Sequence, residues 1–289
     1  MCDTCGCNIT PGNEHLIRAE GKLAETNDGR AAVTVLEGLL AENDHQAAHN
    51  RGHFDTHAVL AVNLMSSPGA GKTSLLEATI RAIGSELRIA VVEGDLETEN
   101  DAERIRAQGV EAVQIATGSA CHLDAHMVHD ALHRLDLEGV DILFIENVGN
   151  LVCPASFDLG QHRNVALLSV PEGDDKPAKY PVMFRAADLV LLTKCDLLPY
   201  LDDFSPERTE HHLRHLATDA PFLRTATRGE PDIVPWLDWL RAQVATLREH
   251  RTRSETLLPA GRSGAAHAHL HDAGPGHLHE TAHRHRSSV

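Results

Sequence analysis

The chain has 289 residues, a formal net charge of −16, 42% hydrophobic residues and only 3% aromatic ones. The apolar content is enough for a core, while the negative charge repels nucleic-acid backbones and anionic lipid, and so few rings leave neither base stacking nor a membrane belt. No stretch approaches the roughly eighteen apolar residues of a membrane span, and Met1-Cys2-Asp3 opens without a basic, apolar leader, so a cytoplasmic protein contacting neither nucleic acid nor membrane is expected.

The chain begins with a thiol cluster, Cys2, Cys5 and Cys7. Clustered thiols in a reducing compartment bind metal more often than they form disulfides. Gly6 permits the tight wrap that puts Cys5 and Cys7 on one ion, and thiolates suit square-planar Ni²⁺ as well as Zn²⁺ or Cu⁺. No second Cys-x-x-Cys exists to complete a zinc ribbon; free or redox-active thiols are the alternative. Two amphipathic stretches follow, parted at Asn27-Asp28-Gly29, and the second carries Val33, Leu36, Leu39 and Leu40 at helical spacing. Residues 1–57 are therefore expected to form a cysteine cluster and helical arm. His45, His49, His53 and His57 share one face if the helix passes Gly52; a solvated linker is the other reading.

From residue 58 the pattern changes. Apolar runs at 58–65, 87–92, 141–145, 165–170 and 189–192 alternate with helical stretches. Strands buried on both faces imply an α/β fold whose largely parallel sheet is flanked by helices, over residues 58–250. A last helix over about 233–248 places Trp236, Leu237, Leu240, Val244 and Leu247 on one face. Residues 251–289 are expected to be a His-rich flexible tail, disordered beyond Pro259, where His267, His269, His271, His277, His279, His283 and His285 alternate with small residues. Several imidazoles so spaced can wrap a borderline cation.

The first apolar run leads into Ser66-Ser67-Pro68-Gly69-Ala70-Gly71-Lys72-Thr73 and then the helical Ser74-Leu75-Leu76. This is a P-loop in its strand-to-helix setting, with Ser66 in place of the first glycine. Backbone amides at Gly69, Ala70, Gly71 and Ser74 would cradle phosphate, Lys72 supplies a charge, and the Thr73 hydroxyl can ligate Mg²⁺. The third run ends in Glu146-Asn147-Val148-Gly149, suited to a Mg²⁺-side acid followed by a γ-phosphate-sensing glycine. The second leads into Glu93-Gly94-Asp95 and then Asp101, an acidic loop for water or Mg²⁺ positioning, with the acting acid left open. Thr193-Lys194-Cys195-Asp196 follows the fifth run: the Asp196 carboxylate can accept two hydrogen bonds from guanine, which adenine cannot match, so GTP is expected. Lys194 would lie along the base and the 225–227 segment, with Ala226, would back its edge. Cys121 and His122 open a stretch read as helical to His129, and Cys153 lies four residues past Gly149; if these meet, a metal ligand rides on the phosphate-sensing segment. Small core residues are the plainer reading of both cysteines.

These motifs resemble the hydrogenase nickel-incorporation GTPases of the HypB family, a class of P-loop NTPase. The resemblance covers Cys2, Cys5, Gly6 and Cys7 and nearly all of 58–243, including 66–73, Gly94-Asp95, Asp101-Ala102, Thr117-Gly118, Cys121-His122-Leu123-Asp124, 144–160 and 176–201. It implies Mg²⁺-dependent GTP hydrolysis coupled to nickel delivery into the [NiFe] hydrogenase large subunit, with a HypA-type partner and nucleotide-dependent homodimerisation. It further implies a Ni²⁺/Zn²⁺ site at Cys121, His122 and Cys153 near the interface and a separate, tighter nickel site at the N-terminal cysteines. By the same resemblance Asp95, Asp101 and Glu146 are expected on the metal and water side, and Lys179 is expected to reach the partner protomer's guanine. Two features depart from the family: the denser histidine cluster is C-terminal, and Thr193 replaces the usual Asn. A urease-type nickel-insertion GTPase, which normally lacks the cysteine cluster, and a nickel storage protein with an incidental nucleotide domain are the rival readings.

Overall fold

A computed structural model of the chain describes residues 30–95, 100–118, 120–216, 218–229 and 231–259. The Cys2, Cys5, Cys7 cluster and the histidines from His267 onward lie outside the described residues. Seven parallel strands run in the order β3-β2-β4-β1-β5-β6-β7: β1 Leu60–Ser66, β2 Ile89–Asp95, β3 Glu111–Ala116, β4 Ile142–Glu146, β5 Arg163–Ser169, β6 Leu189–Thr193 and β7 Phe222–Arg224. The expected parallel α/β sheet is present. Five of its strands are the apolar runs; the sixth, β3, was not expected because it is an edge strand whose ends, Glu111 and Ala116, are exposed.

Period-two alternation gives β1 a different partner on each face. Leu60, Val62 and Leu64 pack with Leu75, Leu76 and Ile80 of α2 (Lys72–Ile83) and with Trp236 and Leu240 of α8 (Val234–Thr252). Ala61 faces the other way, against Phe54 at the end of α1 (Arg30–His57) and Met127 and Val128 of α4 (Ala125–Leu132). A third cluster joins Met65 and Leu168 to Met183 and Phe184 of α6 (Pro181–Arg185) and Leu213 of α7 (Pro206–His215). The remaining helices, α3 (Asn100–Arg106) and α5 (Lys176–Lys179), are short and lie in connections.

Two boundaries differ from expectation. Helix α1 continues through Gly52 to His57, and from Asn43 onward it belongs to the nucleotide domain rather than standing apart as an arm. The reason is a buried polar face that sequence reads as solvated. Asn43 donates to Asp158 O (2.8 Å), Asn50 to Ala125 O (2.8 Å) and Leu159 O (3.1 Å), and Arg51 pairs with the Asp158 carboxylate at 2.9 Å. Gly160, at φ +92°, lets that loop approach, since a Cβ there would lie 2.7 Å from Ala47 O. At the other end α8 reaches Thr252, past the expected stop, and Leu257 remains buried while Arg163 donates to Leu258 O (2.9 Å). The chain is thus held to the core through 251–259, where a tail was expected to have begun.

Candidate nucleotide site and thiol–imidazole cluster

Strand β1 delivers the chain to a loop that turns at Gly69 (φ +75°) and Gly71 (φ +101°), backbone angles that side chains rarely adopt. Gly71 caps α2 without any side-chain acceptor, so no side-chain cap competes for the amides of the first helical turn, and they face a cavity of about 700 Å³. Residues Gly69 to Ser74 form one wall of it. Lys72 Nζ donates to Ser66 Oγ (3.1 Å) and lies 3.8 Å from Glu146 Oε1, and the Thr73 hydroxyl donates to the same oxygen at 3.0 Å. Ser66, which replaces the first glycine, therefore anchors the P-loop lysine.

The acids come from the C-terminal ends of adjacent strands. Glu146 ends β4, Glu93 and Asp95 end β2, and Asp101 enters from α3. Glu93, one of the acids of the loop that the sequence leaves open, has Glu146 as its register partner, a pairing sequence cannot show. Both are buried, and each leaves one carboxylate oxygen, Glu93 Oε1 and Glu146 Oε2, without a hydrogen-bond partner. Burial, with the charge of Glu146 beside it, pushes Glu93 up to about 10; burial also raises Glu146, against the pull of Lys72. Two such carboxylates share a proton when nothing else neutralises them. Arg104, tied to Asp101 at 2.8 Å and Glu77 at 3.1 Å, and Arg228 also line the cavity; nothing in their local sequence marked them. Gly149 has a packing role beside any sensing one: a Cβ there would meet Pro68 at 2.8 Å.

At the far end Thr193, Lys194 and Asp196 line the cavity. Thr193 Oγ1 donates to Ala70 O (2.7 Å) and Lys194 Nζ to Gly69 O (2.7 Å), so both clamp the P-loop from strand β6. Of the 225–227 segment Thr227 lines the cavity and Ala226 does not: the Ala226 amide is bonded to Asp232 O (3.0 Å) and the residue is buried in the fold. Lys179 is exposed on α5, paired with Asp175 at 2.6 Å, and does not line its own chain's cavity.

Cys121, His122 and Cys153 converge, each offering a ligand atom within 4.8 Å of the others. The thiol sulfurs are 3.3 Å apart, and His122 Nδ1 is 3.7 Å from Cys121 Sγ. Cys121 and His122 precede α4 rather than opening it, because the helix is capped by Asp124, whose side chain accepts from Met127 N. His122 stacks on Phe157 at 4.0 Å, and burial lowers its pKa to about 4, so its ring is neutral at ordinary pH and Nε2 lacks a partner. Asn147 ties this loop to the nucleotide side. Its Oδ1 accepts from Leu123 N (3.1 Å), its Nδ2 donates to Asn63 Oδ1 (3.2 Å), and Asn150 donates to Cys121 O (3.2 Å). The residues flanking Glu146 and Gly149 thus hold the thiol loop. His126 lies apart, 3.9 Å from Glu42.

A glycine-turned loop between a buried parallel strand and an uncapped helix, with lysine, threonine and strand-end carboxylates around one cavity, defines a P-loop nucleotide-binding protein. Residues 60–224 match the family described as CobW/HypB/UreG, nucleotide-binding domain. A hydrogenase maturation factor HypB from Azotobacter vinelandii is 53% identical over 235 residues, covering 78% of this chain and 77% of the relative. The solved structure of HypB from Helicobacter pylori in complex with nickel superposes with a TM-score of 0.64 at 40% identity, over 74% of this chain and 97% of that one. Hydrogenase maturation factor HypB from Archaeoglobus fulgidus gives 0.66 at 38% identity, over 71% and 100%. The chain belongs to the HypB branch of the CobW/HypB/UreG family. No helix among the described residues is long and apolar enough to cross a membrane.

Proposed function

We propose that the chain is a GTP-hydrolysing metallochaperone whose cargo is nickel and whose client is the large subunit of a [NiFe] hydrogenase. The observation that carries this is the contact between its two sites: Asn147 and Asn150, within the turn after Glu146, hold the loop bearing Cys121 and His122. A nucleotide-driven shift of that turn moves a metal ligand set, which is the coupling a delivery protein needs. A storage protein has no use for it.

Lys72 and the P-loop amides hold the phosphates and offset charge that develops on the transferred group. The partnerless oxygens of Glu93 and Glu146 beside the Thr73 hydroxyl form a hard, all-oxygen donor set that fits Mg²⁺. When bound, Mg²⁺ neutralises charge between the β and γ phosphates. Asp95 and Asp101 are assigned to positioning water, and Asp196 to reading guanine. Gly149 reports the γ-phosphate to the thiol loop. Cys121, His122 and Cys153 hold Ni²⁺, for which Zn²⁺ competes. The N-terminal cysteines and the histidines from His267 onward, on either side of the nucleotide domain, are assigned further metal-holding roles. A homodimer in which Lys179 reaches the partner's guanine, and handover with a HypA-type protein, complete the reading.

The test is Ni²⁺ affinity at Cys121, His122 and Cys153 with GDP and with a non-hydrolysable GTP analogue, in protein whose Cys2, Cys5 and Cys7 are Ala. A difference of about 5- to 150-fold is expected; equal affinities would remove the coupling. Lys72→Ala should abolish GTP hydrolysis and hydrogenase maturation together, and full maturation by that variant would sink the proposal.

A further inference from the structure

A second group of histidines converges where α1 packs on α4, on a face that the proposed function does not use. His49 and His53 are one turn apart on α1, and His129 comes from α4; each offers a ring nitrogen within 4.8 Å of the others. His133, one turn beyond His129, brings its Nε2 to 3.2 Å from His129 Nε2. The rings meet with centroids at 4.7 Å (His49 and His53), 5.0 Å (His49 and His129) and 4.6 Å (His129 and His133).

The tautomer of His129 is set by its surroundings. Asn50 Nδ2 donates to two carbonyls, those of Ala125 and Leu159, so the amide oxygen must face His129. At 3.1 Å from that oxygen, Nδ1 carries the proton, which leaves a lone pair on Nε2 directed at His133. A buried amide that fixes a ring through its outer nitrogen is the usual support of a histidine ligand. Two nitrogens about 2.0–2.1 Å from a tetrahedral ion lie about 3.3 Å apart, close to the His129–His133 separation. Burial and the neighbouring rings hold His53 and His129 below the ordinary imidazole value, the state in which the ring can ligate. Rings so crowded repel one another once protonated.

We propose that His49, His53, His129 and His133 form an imidazole-only metal site that clasps α1 to α4 and takes a divalent transition cation of the nickel and zinc class. Hard Mg²⁺ and Ca²⁺ prefer oxygen, and soft Cu⁺ prefers the thiols. The site is separate from the Cys121 cluster in every ligand and needs no nucleotide. It stands whether or not the nickel-delivery reading does.

The test uses the full-length chain without nucleotide and Zn²⁺ as the probe. Histidine labelling by diethyl pyrocarbonate, read peptide by peptide in a mass spectrometer, should fall several-fold at His49, His53, His129 and His133 when Zn²⁺ is added. Equilibrium dialysis should find one fewer bound ion per chain in His49→Ala/His53→Ala and in His133→Ala, with GTP affinity unchanged as the check on folding. Unchanged labelling at these four positions, or equal ion counts in variants that still bind GTP, would overturn the site. The labelling arm needs no variant, so a misfolded variant leaves the decision to it.

Discussion

Glu93 and Glu146 decide much of the chemistry at the scale of single residues. Their carboxyl groups end neighbouring strands, buried and short of partners, which stores a cost that a cation and phosphates can relieve. The ordinary value for Glu93 is 4.5, and in the folded chain it rises to about 10. Between those values the folded state keeps a proton that the unfolded state has released, so stability falls as pH rises, by up to ~1.4 kcal/mol per pH unit. Glu93→Gln removes this dependence while keeping a donor toward Glu146. In the absence of Mg²⁺ and nucleotide, the variant should melt increasingly above the wild type as pH is raised from 5 to 9. With Mg²⁺ and GTP the order should reverse, because a ligand oxygen carrying charge has been lost; melting curves in both conditions check it.

Helix α1 carries the argument at the scale of elements. Its second half supplies Phe54 to the core and the Arg51–Asp158 pair to the loop over β5, both with almost no solvent exposure. Breaking a buried ion pair from one side costs about 3–5 kcal/mol, since the other charge is stranded. Removing residues 1–57 should therefore leave a chain that melts far lower than the full chain or fails to fold. Melting equal to that of the full chain would mean that α1 is dispensable. The same packing brings the α1 histidines to those of α4, so stability and the imidazole site come from one interface.

Assembly belongs to the scale of the whole molecule. Val152, next to Cys153 of the proposed metal site, is 55% exposed, and Val182 and Tyr200 are exposed at 55% and 80%. Uncovered aliphatic and aromatic groups suit a surface that is buried when two protomers meet, and Val152 sits beside the thiol loop. Val152→Asp should leave nucleotide binding intact yet weaken the homodimer proposed above in the presence of a GTP analogue, measured by light scattering after gel filtration. A dimer as tight as the wild type would exclude this face.

Local chemistry was enough for much of this. Glycines at 69 and 71, Lys72 and Thr73 after an apolar run carry their own loop geometry, and short runs of Val, Leu and Ile alternating with helical stretches fit strands buried on both faces, so the P-loop and the parallel sheet were legible in the sequence. What lay beyond it depends on residues far apart in the chain that meet in space. Asn43, Asn50 and Arg51 look like a solvated helix face until Asp158 and the backbone of the Leu159 loop are brought to them. Glu93 becomes a partner of Glu146 only through the β2–β4 register, and Cys121 finds Cys153 only because Asn147 and Asn150 hold one loop against the other. Hydrophobic periodicity and turn chemistry report on neighbours along the chain; pairing of buried polar groups is set by tertiary packing, and that packing made the sites.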